Sequence, residues 1–133
     1  MKSTAVFKQM KGRQEPITMI TAYDAPTGKA AEKAGMDMIL VGDSAGMVVH
    51  GYDSTIPVTL DDMVMHARAV RRGAPGTFIV VDLPFLTYHS SIESTFTAVK
   101  RLMQEGGAMM VKLEGGAGQV AIVEYLTRHD IPV

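Results

Sequence analysis

Short apolar runs alternate with amphipathic segments along the chain. The apolar runs predict four buried strands, at residues 17–22, 38–41, 78–81 and 109–113. Between the runs, apolar residues recur at helical spacing, as from Leu60 to Val70, so each intervening segment is predicted to be a helix that buries one face. A last apolar run at residues 131–133 predicts the start of a fifth strand.

Capping residues mark where the predicted helices begin. Asp24 precedes the first helix, as an N-cap should. Thr59 with Asp62 matches a variant of the capping box, and Ser90 with Glu93 matches the box itself. The segment at residues 42–58 shows no helical period and is predicted to be a long loop.

Strands that are apolar throughout and alternate with helices are typical of a parallel sheet covered on both faces. The pattern alone allows either a doubly wound sheet or a (β/α)8 barrel. A complete barrel needs about 250 residues, whereas 133 residues supply four strand–helix units and the start of a fifth strand. We therefore expect an α/β fold that is the N-terminal half of a (β/α)8 TIM barrel. Residues 1–133 would form one incomplete domain, with residues 1–15 as a segment before the first strand.

Composition argues against several classes of protein. The formal net charge is -1, so no basic surface for nucleic acid is indicated. The chain has no cysteine, which excludes disulfides, thiolate metal sites and a cysteine nucleophile. No apolar stretch is long enough to cross a membrane, and the N-terminus lacks the apolar core of a secretory signal. A cytoplasmic protein is the expectation.

Polar residues gather where the predicted strands end. Asp43 and Ser44 follow the second strand, Asp82 follows the third, and Lys112 and Glu114 lie at the end of the fourth. Ligands of parallel α/β folds bind at the carboxyl ends of strands, so these side chains should converge. Carboxylates brought together repel one another unless a cation lies between them, and oxygen ligands suit magnesium. The alternative is that each acid only caps the loop or helix that follows it.

Two short motifs are rejected as functional sites. Residues 42–46 match the G-x-S-x-G nucleophile elbow, but an elbow needs a helix directly after its serine, and a loop is predicted after Ser44. Residues 116–121 match G-x-G-x-x-A, but the chain has no room for the acid that a dinucleotide site places about 20 residues further on. The second motif is interpreted as a turn between strand and helix.

The four histidines receive no functional assignment. They lie at positions 50, 66, 89 and 129, and none forms a metal-ligand pair at helical spacing. His50 and His89 fall in predicted loops near the proposed site, and His66 falls within a predicted helix.

Four segments of the chain resemble the ketopantoate hydroxymethyltransferase family. They are ITAYD at residues 20–24, VGDSAGMVVHGYDSTIPVTLDDMVMHARAVRRGAP at 41–75, VDLPF at 81–85 and MVKLEGG at 110–116. The resemblance implies a (β/α)8 barrel that binds magnesium. It implies that Asp43, Asp82 and Glu114 serve the metal, and that Asp43, Ser44, Asp82 and Lys112 contact a 2-oxo acid.

The family's reaction transfers a hydroxymethyl group from 5,10-methylenetetrahydrofolate to 3-methyl-2-oxobutanoate through a magnesium-stabilised enolate, a step of pantothenate biosynthesis. The family forms large homo-oligomers. Its general base is a glutamate in the second half of the barrel, which would lie beyond Val133. We therefore expect no catalytic base in these 133 residues and no activity from them alone. Two alternatives stay open: a related magnesium-dependent lyase or mutase of 2-oxo acids, and a non-catalytic fragment.

Overall fold

The computed structural model describes residues 1–133, in which helices and strands alternate after an N-terminal helix. The strands are β1 Met19–Thr21, β2 Met38–Val41, β3 Phe78–Asp82 and β4 Met110–Lys112. The helices are α1 Thr4–Gly12, α2 Ala25–Lys33, α3 Ala45–Val48, α4 Leu60–Gly73, α5 Ile92–Lys100 and α6 Val120–Arg128. A π-helical turn, Arg101–Glu105, extends α5, and a 3₁₀ turn, Ala117–Gln119, precedes α6.

The four strands form one parallel sheet in the order β1-β2-β3-β4. In register, Met38 of β2 is opposite Phe78 of β3, and Asp82 of β3 is opposite Lys112 of β4. Consecutive parallel strands joined by helices are the repeating unit of a (β/α)8 barrel. The prediction of four parallel strand–helix units is therefore confirmed.

The core lies mainly between the outer face of the sheet and the helices. Ile79 and Val81 of β3 are fully buried there together with Val111 of β4. Helix α4 contributes Met63 and Val70 to the same cluster. This is the apolar stripe that its helical spacing predicts.

The inner face of the sheet is the face that points away from α4. Helix α1 covers it at the amino ends of the strands, which form its lower end. Phe7 of α1 packs edge-to-face on Phe78, with ring centroids 5.1 Å apart, in a cluster that includes Met38 and Val80. Residues 78, 80 and 82 alternate along β3, so they point to the same face. The apolar cluster around α1 thus fills the lower interior and leaves Asp82 at the upper end.

Three local predictions need correction. The segment at residues 42–58 is not all loop, because α3 forms one helical turn directly after Ser44. The N-cap of α5 is Ser91, whose hydroxyl accepts the backbone N–H of Ser94 at 3.1 Å, and not Ser90. Residues 131–133 are not a strand, although Val111 N donates to Pro132 O at 3.1 Å, which lays this segment beside β4.

Strand β1 forms an open edge of the sheet. Met19 and Ile20 are 49% and 43% exposed, far more than their counterparts in β2 and β3. Backbone groups on the outer side of an edge strand have no partner strand. No helix of this chain has both the length and the apolar character that a bilayer crossing requires.

Candidate functional site

The carboxyl ends of β2, β3 and β4 bring four of the predicted residues around one small cavity. Its volume is about 80 Å³, and its charged walls are Asp43, Asp82, Lys112 and Glu114. The remaining walls are Thr55, Leu83, Phe85, Tyr88 and Leu113. Ser44, the fifth predicted residue, is half-buried beside Asp43 and does not line this cavity.

Lys112 joins two of the acids. Its Nζ lies 3.0 Å from Asp82 Oδ1 and 2.9 Å from Glu114 Oε1. Burial disfavours the charged ammonium, but the bonds to Glu114 and Asp82 outweigh burial and raise the pKa of Lys112. The hydrogen bond from Lys112 lowers the pKa of Glu114. Both groups are therefore charged at neutral pH.

Asp82 is the most buried acid of the site. Its Oδ2 accepts the backbone N–H of Asp43 at 3.1 Å, which ties β3 to the loop after β2. Its Oδ1 is buried and makes no hydrogen bond, since the contact with Lys112 Nζ is an ion pair without hydrogen-bond geometry. Burial raises the pKa of the Asp82 carboxyl more than Lys112 lowers it. One buried oxygen is thus held by an ion pair alone, and the charge on its carboxylate is only partly compensated.

The backbone at Gly42 leaves room for this arrangement. A Cβ at that position would lie 2.8 Å from Ser44 Oγ and 3.4 Å from Asp82 Oδ2. The first distance is too short for a real contact, so a side chain at position 42 would displace Ser44. The glycine before Asp43 therefore leaves the Ser44 hydroxyl free to stay at its position beside Tyr23.

Asp43 and Ser44 differ in their surroundings. Burial, followed by repulsion from Glu114, raises the pKa of Asp43. The hydroxyl of Ser44 is hydrogen-bonded to the phenol of Tyr23, with 2.9 Å between the oxygens. A helix does begin directly after Ser44, so the ground on which the nucleophile elbow was rejected is wrong. The partner of Ser44 is nevertheless a phenol and not the histidine that a serine hydrolase uses as its base.

The carboxylates fit a hard cation by chemistry but are not assembled into a ligand set. No three side chains among histidines and acids lie close enough together to hold a metal ion. Lys112 Nζ lies between Asp82 and Glu114, where its charge partly balances theirs. Asp82 Oδ1, which has an ion pair but no hydrogen bond, and the raised pKa values of Asp43 and Asp82 mark a site in which one ammonium does not balance the negative charge. An all-oxygen donor set suits Mg²⁺.

Sequence reasoning missed several residues of the site. Tyr23 follows β1 by two positions, so the strand-end argument that found Asp43 applies to it as well. Tyr88 accepts the backbone N–H of Glu114 at 3.3 Å, and Phe85 and Thr55 line the cavity. These three come from loops, where no periodic pattern indicates which side chains turn inward.

Comparisons with known sequences agree on one family. The sequence model for ketopantoate hydroxymethyltransferase matches residues 2–133. The chain is 62% identical to the 3-methyl-2-oxobutanoate hydroxymethyltransferase of Shouchella clausii and 59% identical to that of Halalkalibacterium halodurans. Both matches cover 100% of this chain and 48% of the relative. The chain therefore spans about half the length of these curated relatives.

Solved structures show the same fold at much lower sequence identity. A 2,3-dimethylmalate lyase of the PEP mutase/isocitrate lyase superfamily matches with a TM-score of 0.69 and 19% identity, over 98% of this chain and 50% of its own. A phosphonopyruvate hydrolase solved with oxalate and Mg²⁺ matches with a TM-score of 0.66 and 14% identity, over 84% of this chain and 38% of its own. These likenesses establish the strand–helix arrangement.

Proposed function

The chain belongs to the ketopantoate hydroxymethyltransferase family, and we propose that it carries the metal and 2-oxo acid part of such an enzyme's active site. The proposed reaction moves a hydroxymethyl group from 5,10-methylenetetrahydrofolate to 3-methyl-2-oxobutanoate and yields ketopantoate for pantothenate biosynthesis. The main support is the single cavity in which Asp43, Asp82, Lys112 and Glu114 meet. The names of relatives at 55–62% identity support the same reaction.

Lys112 and Ser44 are the proposed contacts of the substrate's oxygens. A 2-oxo acid carries a carboxylate and a keto oxygen, both of which attract hydrogen-bond donors and positive charge. Lys112 supplies an ammonium at the cavity, and Ser44 holds a hydroxyl whose position is set by Tyr23. In this proposal, Lys112 gives up part of its hydrogen bonding to Glu114 and donates to the substrate instead. The ammonium then stabilises negative charge on the substrate's oxygens.

Asp43, Asp82 and Glu114 are the acids proposed to serve Mg²⁺. Because Mg²⁺ usually binds through one or two carboxylates and keeps several waters, three acids in direct ligand contact are not required, and the structure brings no such set together. The buried oxygen of Asp82 without a hydrogen bond is the observation that best supports a cation here. When bound, the metal would supply Lewis-acid stabilisation of the charge that develops on a 2-oxo acid as its C3 proton leaves. The phosphonopyruvate hydrolase of the same fold was solved with oxalate and Mg²⁺, and oxalate resembles a 2-oxo acid in carrying oxygens on two adjacent carbons.

The side chains of this site leave no free base for the C3 proton. Lys112 and Glu114 are paired with each other, and Asp43 and Asp82 are assigned to the metal and the substrate. A positioned general base contributes roughly 10²–10⁴-fold to rate. We therefore propose that these 133 residues do not turn over substrate by themselves and that a carboxylate outside them takes the proton.

Calorimetric titration of the complete gene product with Mg²⁺ and 3-methyl-2-oxobutanoate tests this assignment. Asp82→Asn should weaken both affinities by about tenfold or more, because it removes one charge from the proposed ligand set. Lys112→Met should weaken binding of the acid and leave Mg²⁺ binding in place.

Asp53→Asn and Lys100→Met are matched controls, since both residues are exposed and neither lines the cavity. They should bind as the unaltered protein does. Unchanged affinity in Asp82→Asn, measured in a variant with an intact fold, would overturn the metal assignment.

A lyase or mutase reaction is the second candidate, and the fold of 2,3-dimethylmalate lyase is the observation in its favour. The likeness at 19% identity supports the architecture, whereas the relatives above 55% identity carry the transferase name. Assays for ketopantoate formation and for carbon–carbon cleavage of a 2-hydroxy or 2-oxo diacid separate the two. Cleavage without ketopantoate formation would replace the transferase proposal.

A further inference from the structure

Two histidines lie against each other behind the candidate site. His66 is in the middle of α4 and only 7% exposed, and His50 follows α3 in the loop before α4. Their Nε2 atoms are 2.8 Å apart. The other ring nitrogen of His66, Nδ1, lies 2.8 Å from the backbone oxygen of Tyr23.

The partners of His66 determine which nitrogens carry hydrogen. A carbonyl oxygen only accepts, so His66 Nδ1 must donate to Tyr23 O. A neutral imidazole has one donor and one acceptor, so His66 Nε2 accepts and His50 Nε2 donates. If both Nε2 atoms carried a hydrogen, the bond between them would be replaced by repulsion.

The histidine pair belongs to a closed ring of contacts that includes Ser44. The backbone N–H of His50 donates to Ala45 O at 3.0 Å, which makes residues 44–50 one compact turn. The Ser44 end of this turn is bonded to the Tyr23 hydroxyl, and the His50 end is bonded to His66. His66 Nδ1 in turn is hydrogen-bonded to the backbone oxygen of Tyr23. The Ser44 end of the turn is therefore bonded to Tyr23 directly, and the His50 end is connected to Tyr23 through His66.

The charged groups around the pair are already committed to helix caps. Asp62 of α4 accepts from the Thr59 hydroxyl at 2.7 Å, and Asp24 accepts from Thr27 N at 2.8 Å. The aromatic rings of Tyr52 and Tyr23 pack against His50 and His66, with centroids 5.5 Å and 6.3 Å apart. No other side chain competes for the two Nε2 atoms.

We propose that the His50–His66 hydrogen bond locks the turn that carries Ser44 against α4 and so orients the Ser44 hydroxyl toward the 2-oxo acid. This makes both histidines positioning residues, and it rests on the proposed function because the acid is the ligand that Ser44 would contact. The ring couples the pair to Ser44 and leaves the carboxylates of Asp82 and Glu114 outside it.

Two substitutions at position 50 separate positioning from simple packing. His50→Gln keeps a neutral N–H donor for His66 Nε2, whereas His50→Leu keeps bulk and removes the donor. In the complete gene product, His50→Leu should raise KM for 3-methyl-2-oxobutanoate by about tenfold, the typical effect of losing one hydrogen bond. Mg²⁺ affinity should not change, and His50→Gln should stay within about threefold of the unaltered protein.

Nitrogen-15 shifts of the histidine rings test the tautomers independently of any ligand. The expected pattern is hydrogen on Nδ1 of His66 and on Nε2 of His50 at neutral pH. Hydrogen on His66 Nε2, or equal KM values for His50→Leu and the unaltered protein, would overturn the inference. If the unaltered protein binds no 2-oxo acid, the proposed function has failed, and the tautomer pattern still decides whether the histidine lock exists.

Discussion

At the scale of single residues, the candidate site keeps a buried carboxylate charge that lowers the stability of the fold. Asp82 is buried with one oxygen that makes no hydrogen bond, and burial raises the pKa of its carboxyl. At neutral pH the fold therefore holds a charge whose burial it disfavours. Such groups are typical of functional sites, where stability is given up for binding.

Asp82→Asn should stabilise the metal-free protein. The asparagine keeps an oxygen for the backbone N–H of Asp43 and removes the buried charge, so the free energy of unfolding should rise at pH 7, by on the order of 1 kcal/mol. Thermal denaturation in the presence of a chelator measures the change. Asp53→Asn at an exposed position should shift stability by less than about 0.5 kcal/mol. A large loss of stability in Asp82→Asn would show that Lys112 compensates the charge fully.

Gly42→Ala should impair the site more than the fold. The added Cβ would lie 2.8 Å from Ser44 Oγ, so the Ser44 hydroxyl must leave Tyr23. Because the hydrogen bond between Ser44 and Tyr23 is lost, we expect the affinity for 3-methyl-2-oxobutanoate to fall by about tenfold or more. Titration of the variant measures this, and Gly12→Ala, which meets no atom within 4 Å, is the control. Equal affinities in the two variants would contradict the role assigned to Gly42.

At the scale of elements, local capping chemistry determines where α4 begins. Thr59 and Asp62 form the complete capping box that their spacing predicts, with Asp62 N donating to Thr59 Oγ1 at 3.2 Å and Thr59 N donating to Asp62 Oδ2 at 2.9 Å. Helix α5 shows the limit of such reasoning. Two adjacent serines, Ser90 and Ser91, stand before this helix. The structure has Ser91 as the N-cap, and not the predicted Ser90.

Thr59→Ala should cost about 1 kcal/mol of stability, the usual effect of losing an N-cap. Chemical denaturation measures the loss as a lower midpoint with an unchanged slope. Ser3→Ala is the matched control at the start of α1. It should cost less, because Ser3 Oγ accepts from Val6 N at the long distance of 3.4 Å. A larger effect at Ser3 would contradict this ranking.

The capping box also predicts a pH dependence. Hydrogen bonds from the Thr59 side chain and backbone lower the pKa of Asp62 from its ordinary 3.8. A carboxyl whose pKa is lower in the folded state adds stability above pH 3.8, and that stability is lost as pH falls through the folded value. Asp62→Asn should therefore destabilise the protein at pH 7 and have a smaller effect below pH 3.8. A difference that stays constant from pH 7 to pH 3 would exclude an ionic contribution.

At the scale of the whole molecule, α1 and the sheet divide the interior into two layers. The lower layer is apolar and built on Phe7 and Phe78, and the upper layer is the charged cavity around Asp82 and Lys112. The apolar layer covers the lower part of the sheet's inner face, and the polar groups lie above it at the carboxyl ends of the strands. This separation places the proposed chemistry at the carboxyl ends of the strands.

Phe7→Ala should destabilise the protein by up to about 3–5 kcal/mol, the range for deleting a buried phenylalanine. Phe7 is 6% exposed and contacts Phe78, so the change opens a cavity beneath the sheet. Denaturant unfolding followed by circular dichroism measures the loss. Phe85→Ala is the control, because Phe85 is 44% exposed and should lose much less. Equal losses would mean that α1 does not seal the interior.

The pattern along the chain determined the alternation of strands and helices, most of the caps and the set of acids at strand ends. These features depend on neighbours within a few residues, so a sequence displays them directly. Four predicted residues, Asp43, Asp82, Lys112 and Glu114, do meet in one cavity. Their roles as ligands, the folate co-substrate, the single-domain extent, the homo-oligomer and the cytoplasmic location stay predictions.

Tertiary structure alone decided which groups face one another. The contact of Tyr23 with Ser44 spans 21 positions and that of His50 with His66 spans 16, and no local period connects either pair. Loop residues such as Tyr88 enter the site because the chain turns back over the sheet. Lys112, and not a close set of three acids, lies at the centre of the charges, because an ammonium between neighbouring carboxylates reduces the repulsion between them.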